Sequence, residues 1–165
     1  MRKVNRLQDR WQNAVFFLIG LLIVVADQFS KVWIRTNLPE GRSLFETGFF
    51  RITHVRNTGA AFGLFPDQSF ALAIIALISI TAIIVYVFVI YRYFPLPRMM
   101  LGKVALGLVF GGTVGNLIDR FRFGYVTDFI DFGFWPAFNI ADSAVTVGVI
   151  IFAYSLLRLA RAENR

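Results

Sequence analysis

No cysteine occurs in the 165 residues, so disulfides, thiol nucleophiles and thiolate metal sites are excluded. A single histidine, His54, is too little imidazole for a histidine-based metal centre. Charge is scarce too. Asp, Glu, Lys and Arg make up 16% of the chain, against about a quarter in soluble domains. Hydrophobic residues make up 57%, and the mean hydropathy is +0.64. This balance points to a membrane protein, and the length to one domain over 1–165. The net charge of +7 is carried by bases that flank apolar segments. Membrane lipids with anionic headgroups are therefore the expected partner, and nucleic acid is not.

Four apolar segments are present, expected as helices at about 14–35, 70–91, 101–119 and 140–159. A run of twenty-odd residues, at about 1.5 Å each, crosses a hydrocarbon core of about 30 Å. The basic start and the run ending Val24-Val25-Ala26 imitate a signal peptide. Asp27-Gln28-Phe29-Ser30-Lys31 continues the helical pattern, however, so this segment is expected to be retained as helix 1. Asp27 and Lys31, four apart, share a face near its outer end; a buried pair that only orients the helix is the plain alternative. The second segment is apolar all round except for Ser79 and Thr81, and is expected to be a lipid-facing wall without chemistry. Arg92, Pro95, Pro97 and Arg98 then make a short basic turn. In the third segment Gly107, Gly111 and Gly115 recur every four residues, a face for close helix packing. Asn116, Asp119 and Arg120 close it. Asp119 and Arg120 are adjacent and cannot face each other on a helix, so each needs its own partner.

Two stretches do not span. In 36–69, Pro39, Gly41 and Gly48 break any helix, and Phe49 to Asn57 alternates like one or two strands. The following Asn57-Thr58-Gly59-Ala60-Ala61-Phe62-Gly63 is small enough to let backbone approach a ligand, or simply a turn. The stretch 120–138 is an aromatic loop suited to the headgroup boundary, with a strand-like run from Tyr125 to Phe132. The expected fold is therefore an all-α membrane protein: four transmembrane helices with a small extracytoplasmic sheet between helices 1 and 2.

Of ten acidic residues, four fall between Gly111 and Asp142: Asp119, Asp128, Asp131 and Asp142. An ionisable residue beside hydrocarbon is a functional-site hypothesis by default. Asp142 also fits N3 of a capping box begun by Asn139, a purely structural role; the same helix end favours an ionised carboxylate. A Ser-His-Asp triad lacks a suitably placed serine. Ser30 and Lys31 are helix neighbours that point apart. A pair of carboxylates sharing a proton remains, which can activate a water and needs neither metal nor cofactor; Asp128 and Asp142 are the expected pair. Ten Lys and Arg lie at the N-terminus, the 92–103 turn and the C-terminus, with seven on the other side against eight acids. Both termini are accordingly expected in the cytoplasm, with the acids at the outer face.

Five segments, in order, resemble the lipoprotein signal peptidases (signal peptidase II). They are Asp27-Gln28-Phe29-Ser30-Lys31, Asn57-Thr58-Gly59-Ala60-Ala61-Phe62, Gly111-Gly112 through Gly115-Asn116-Leu117-Ile118-Asp119-Arg120, Val126-Thr127-Asp128-Phe129 and Phe138-Asn139-Ile140-Ala141-Asp142. The resemblance covers Ala14 to about Leu159. It implies a four-helix aspartyl endopeptidase of the bacterial membrane (the inner membrane in a Gram-negative cell). A monomer is expected. Its substrate would be a prolipoprotein, cut before a diacylglyceryl-modified cysteine. It carries the catalytic pair onto Asp128 and Asp142. It implies supporting or substrate-contact roles for Asp27, Lys31, Asn57, Gly59, Asn116, Asp119, Arg120 and Asn139, and a substrate cradle in 43–63. Two departures stand out: Gly63 replaces a serine common in the family, and the segment from Asp128 to Asp142 is short. A proton- or ion-coupled transporter is the rival, since such proteins also carry intramembrane acids and Gly-rich helices. Here the acids gather at one face, and no inverted repeat is evident. A non-catalytic scaffold would leave that gathering unexplained.

Overall fold

A computed structural model of the chain describes residues 6–59, 65–89 and 100–163. The elements run α1 (Arg6–Asn37), β1 (Ser43–Thr47), β2 (Phe50–Asn57), α2 (Ser69–Phe88), α3 (Met100–Phe123), β3 (Val126–Asp131) and α4 (Ile140–Glu163). Among the described residues four helices are long and apolar enough to cross a bilayer: Arg10–Asn37, Ser69–Phe88, Met100–Phe123 and Ile140–Arg158. The membrane fold expected from the four apolar runs is thus present. The expected basic turn at 92–98 and the small-residue run at 60–63 lie outside the described residues.

The helix ends differ from expectation for local reasons. The first helix starts at Arg6 rather than at Ala14, because Arg, Leu and Gln propagate a helix as well as apolar residues do. Its Asn13 accepts a hydrogen bond from the buried Lys103 ammonium at 2.9 Å. The third helix continues past Asp119 to Phe123 and stops at Gly124, whose φ of +76° lets its N–H reach the Arg120 carbonyl at 3.0 Å. The fourth runs on to Glu163.

At the centre lies α3, packed against α1 on one side and α4 on the other, with α2 also against it. The glycine stripe makes the first contact possible. A Cβ on Gly111 would lie 2.6 Å from the Gly20 carbonyl of α1, so only glycine permits this separation. Most of the α2 surface is exposed, with Ala73 and Val87 its buried residues. The hydroxyls of Ser79 and Thr81 donate to their own i−4 carbonyls, at 2.9 and 2.8 Å. Both hydroxyls are thus satisfied within the helix where it faces lipid.

The sheet differs from expectation in one respect. It has three antiparallel strands in the order β1-β2-β3, so its third strand comes from between α3 and α4 rather than from between α1 and α2. The aromatic loop supplies that strand because its backbone groups need partners beside an apolar surface, and β2 offers an unpaired edge. Phe132 then packs against Phe49, Phe50, Phe134 and Phe138 at ring separations of 5.4 to 6.2 Å, tying the hairpin tip to the turn before α4. The strand carrying Asp128 is thereby brought alongside the start of α4.

Candidate active site

The expected capping box at the start of α4 is formed. The Asp142 N–H donates to Asn139 Oδ1 at 2.9 Å, and the Asn139 N–H donates back to Asp142 Oδ2 at 3.2 Å. The box uses one Asp142 oxygen. The other, Oδ1, accepts from Asn116 Nδ2 at 2.7 Å. Asn139 has a second function, since its Nδ2 donates to Asp128 Oδ1 at 2.7 Å. Asp128 Oδ2 accepts from Asn57 Nδ2 at 2.9 Å. One asparagine thus holds both Asp128 and Asp142, fourteen residues apart in sequence.

Asp128 is 1% exposed. Burial, reinforced by the negative charge of Asp142, pushes its carboxyl up to about 7; hydrogen bonds from Asn57 and Asn139 and the charge of Lys31 pull the other way. A buried acid beside a second carboxylate is the condition under which two acids divide one proton.

The amides are oriented by groups that can only donate. Lys31 Nζ donates to Asn116 Oδ1 at 2.8 Å, which turns Asn116 Nδ2 toward Asp142. The Gly59 N–H donates to Asn57 Oδ1 at 2.9 Å, which turns Asn57 Nδ2 toward Asp128. The Asp142 N–H orients Asn139 in the same way. Each of the four carboxylate oxygens therefore faces an N–H, and none of these donors titrates.

Beneath this pair lies a second cluster. Asp27 and Lys31 form the expected i,i+4 pair at 2.9 Å, both fully buried, and Lys31 is also 3.5 Å from Asp119. Asp27 Oδ1 accepts the Ala141 N–H at 3.0 Å, so α1 carries a carboxylate at the first turn of α4. Gly115 makes room for it: a Cβ there would lie 2.6 Å from Asp27 Oδ2. Asp119 and Arg120 do take separate partners. Asp119 binds Lys31, Arg35, Gln28 and the Thr127 N–H. Arg120 Nη2 donates to the Gly59 carbonyl at 3.1 Å, its guanidinium feels Asp142, Asp128 and Asp119, and its buried Nε has no hydrogen-bond partner among the described residues.

All ten residues singled out from the sequence fall in this connected network. Three others belong to it. Gln28 Nε2 reaches Asp27, the Gly115 carbonyl and Asp119, at 3.2, 3.1 and 3.2 Å. Arg35 and Thr127 meet at 2.9 Å. Arg35 continues the 27–31 spacing by one more turn, and Gln28 and Thr127 lie inside the matched motifs, but nothing in the sequence assigns any of the three a role. Asp131 stands apart, held by Arg51 at 2.6 Å and by the Gly133 N–H at 2.7 Å. Burial would raise its pKa, but these two partners outweigh that and hold it below the ordinary carboxyl value. His54 Nδ1 binds the Leu38 carbonyl at 2.8 Å, and Ser30 Oγ donates to the Asp27 carbonyl at 2.8 Å, so neither forms a triad or a Ser-Lys pair. An apolar groove of about 410 Å³ lies between α1 and the sheet, lined by Phe29, Ser30, Trp33, Ile34, Leu44, Ile52 and Phe129, none of them titratable.

Comparison with known proteins decides what this geometry belongs to. Residues 19–158 match the family described as "Signal peptidase (SPase) II". The chain belongs to the signal peptidase II family. A protein of Moorella thermoacetica named lipoprotein signal peptidase is 43% identical over 152 residues, covering 91% of this chain and 97% of the relative. One of Dehalococcoides mccartyi with the same name is 48% identical over 139 residues, covering 84% and 86%. The structure is similar to one titled as a bacterial membrane enzyme solved by the in meso method at 2.3 Å, with a TM-score of 0.79, 35% identity and 88% of each chain covered. Membership of the signal peptidase II family makes the chain a membrane peptidase, and the transporter and scaffold readings fall.

Proposed function

We propose that the chain is an aspartyl endopeptidase that removes signal peptides from prolipoproteins, cutting before a cysteine that carries a diacylglyceryl group. The names of its relatives support the substrate class. The observation that carries the mechanism is the bridge from Asn139 to both Asp128 and Asp142, with Asp128 pushed up to about 7. In this reading Asp142, unprotonated, takes a proton from water as the water oxygen bonds to the scissile carbonyl carbon. Asp128 gives its proton to the carbonyl oxygen. Asp142 then passes its proton to the leaving nitrogen as the C–N bond breaks, and Asp128 recovers a proton from the collapsing diol. The free Nε–H of Arg120 is a donor for the carbonyl oxygen while it gains charge. Asp27, Lys31, Asn57, Gly59, Asn116, Asp119 and Asn139 hold these groups in place.

The apolar helices and the exposed aromatic tip at Phe49 and Phe134 favour a substrate that arrives sideways from the bilayer with its acyl chains still in lipid. The deciding experiment gives the purified protein two precursors that differ only in the diacylglyceryl group. Cleavage of the modified precursor alone is expected. Equal turnover of both would reject the lipoprotein reading in favour of a general signal peptidase.

The charge distribution supports an enzyme with both termini in the cytoplasm and the carboxylate pair near the outer surface. Reporter fusions at position 95 and at the C-terminus are expected to give cytoplasmic signals, and one near position 45 an external signal. The reverse pattern would put the pair on the wrong side of the membrane for this substrate.

A further inference from the structure

We propose that Arg35 and Asp119 form a positioning unit that grips the β3 backbone at Thr127 and so sets where Asp128 stands. Only the kinetic consequence rests on the aspartyl reading above. Thr127 is fully buried and immediately precedes Asp128. Its N–H donates to Asp119 Oδ2 at 3.0 Å. Its hydroxyl accepts from Arg35 Nη1 at 2.9 Å. The same Nη1 lies 3.4 and 3.5 Å from the two Asp119 oxygens, closing a ring of three residues from α1, α3 and β3. On the other flank of Asp128, the Phe129 N–H donates to the Phe138 carbonyl at 3.0 Å.

The strand needs such anchors. Its ladder with β2 is irregular between Ile52 and Val55, and Val55 is the residue that pairs with Asp128. A one-residue slip would turn Asp128 to the opposite face. Asp119 supplies a fixed acceptor from α3, the most buried helix, rather than from the sheet. Two cations, Lys31 at 3.5 Å and Arg35 at 3.4 Å, match its charge. Arg35 is itself held: its guanidinium lies 4.5 Å from the centre of the Phe123 ring, and its side chain is 14% exposed. It faces the framework rather than an incoming chain.

The test uses full-length protein in detergent, with steady-state kinetics on the lipid-modified precursor and amide exchange without substrate. Arg35→Met is expected to lower kcat by about 10- to 100-fold with KM unchanged, the scale of a small misplacement of a reacting group. Thr127→Val keeps the N–H and the shape but loses the acceptor, and should lower kcat by less. The double variant should match Arg35→Met, because one unit is being broken. Arg35→Lys should recover part of the loss. Arg56→Gln, which breaks a half-exposed pair with Glu40 at 3.0 Å and a cation–ring contact with Tyr125 at 4.7 Å but touches neither Arg35 nor Asp119, should behave as wild type. If Arg35→Met does not fold, Thr127→Val carries the test alone. Exchange at the Thr127 amide should quicken in each folded variant, which tests the grip even if the wild type cuts nothing and the aspartyl reading fails. Unchanged kcat and exchange would overturn the proposal. A raised KM at constant kcat would instead make Arg35 a substrate contact and equally overturn it.

Discussion

Asp128→Asn is expected to abolish cleavage while the protein still inserts and folds, and Asp142→Asn to do the same. Each loss should approach about 10⁴-fold, the upper end of what one positioned acid or base contributes. Folding should survive because an amide has the size of a carboxyl, and its oxygen can still accept from Asn139 in one case or Asn116 in the other. The double variant should be no worse than either single one, since the pair acts as a unit. Asp131→Asn should keep substantial activity, because Asp131 is committed to Arg51 and Gly133. The pH profile follows from the same site. In the proposed mechanism Asp128 is the acid, so it must hold its proton in the free enzyme. Its carboxyl is pushed up to about 7, so kcat/KM should fall as pH rises through that value. Robust cleavage by either Asn variant would end the aspartyl reading. A profile rising through pH 7 would assign Asp128 the role of base.

The second large effect is expected at Lys31. Its ammonium is fully buried between Asp27 at 2.9 Å and Asp119 at 3.5 Å, and it orients Asn116 at 2.8 Å. Lys31→Met leaves Asp27 with no cation. Losing one partner of a buried pair costs about 3–5 kcal/mol, because the remaining charge stays buried. The melting temperature in detergent should fall sharply, and the folded fraction should turn over slowly because the Asn116 amide can now flip. Adding Asp27→Leu should restore much of the stability, since an apolar replacement of a buried pair is nearly neutral, yet it should restore little activity. A Lys31→Met protein with wild-type melting and turnover would show that the cluster neither holds the helices nor orients the site.

Much of this protein was determined by the sequence alone, wherever the physics is local. Hydrocarbon requires long apolar runs with internally bonded backbone, so four helices were legible from composition along the chain. The capping box links residues three apart, and the Asp27–Lys31 pair residues four apart, so both followed from helical geometry. The five motifs marked the residues that assemble at the site. The tertiary structure decided what those residues do to one another. The Asp27 carboxylate meets the Ala141 N–H from 114 residues away, and Asn57 meets Asp128 from 71 away. Such contacts depend on how closely α1 and α4 approach α3 and on where β3 adds to the sheet. The approach is set by backbone-to-backbone contact at Gly111 and Gly115, and strand addition by an edge that no local pattern records. For the same reason the pairing of the strand at 126–131 with β2, the Asn139 bridge, and the parts played by Gln28, Arg35 and Thr127 emerged only once the helices were packed: each depends on a partner supplied by a different segment of the chain.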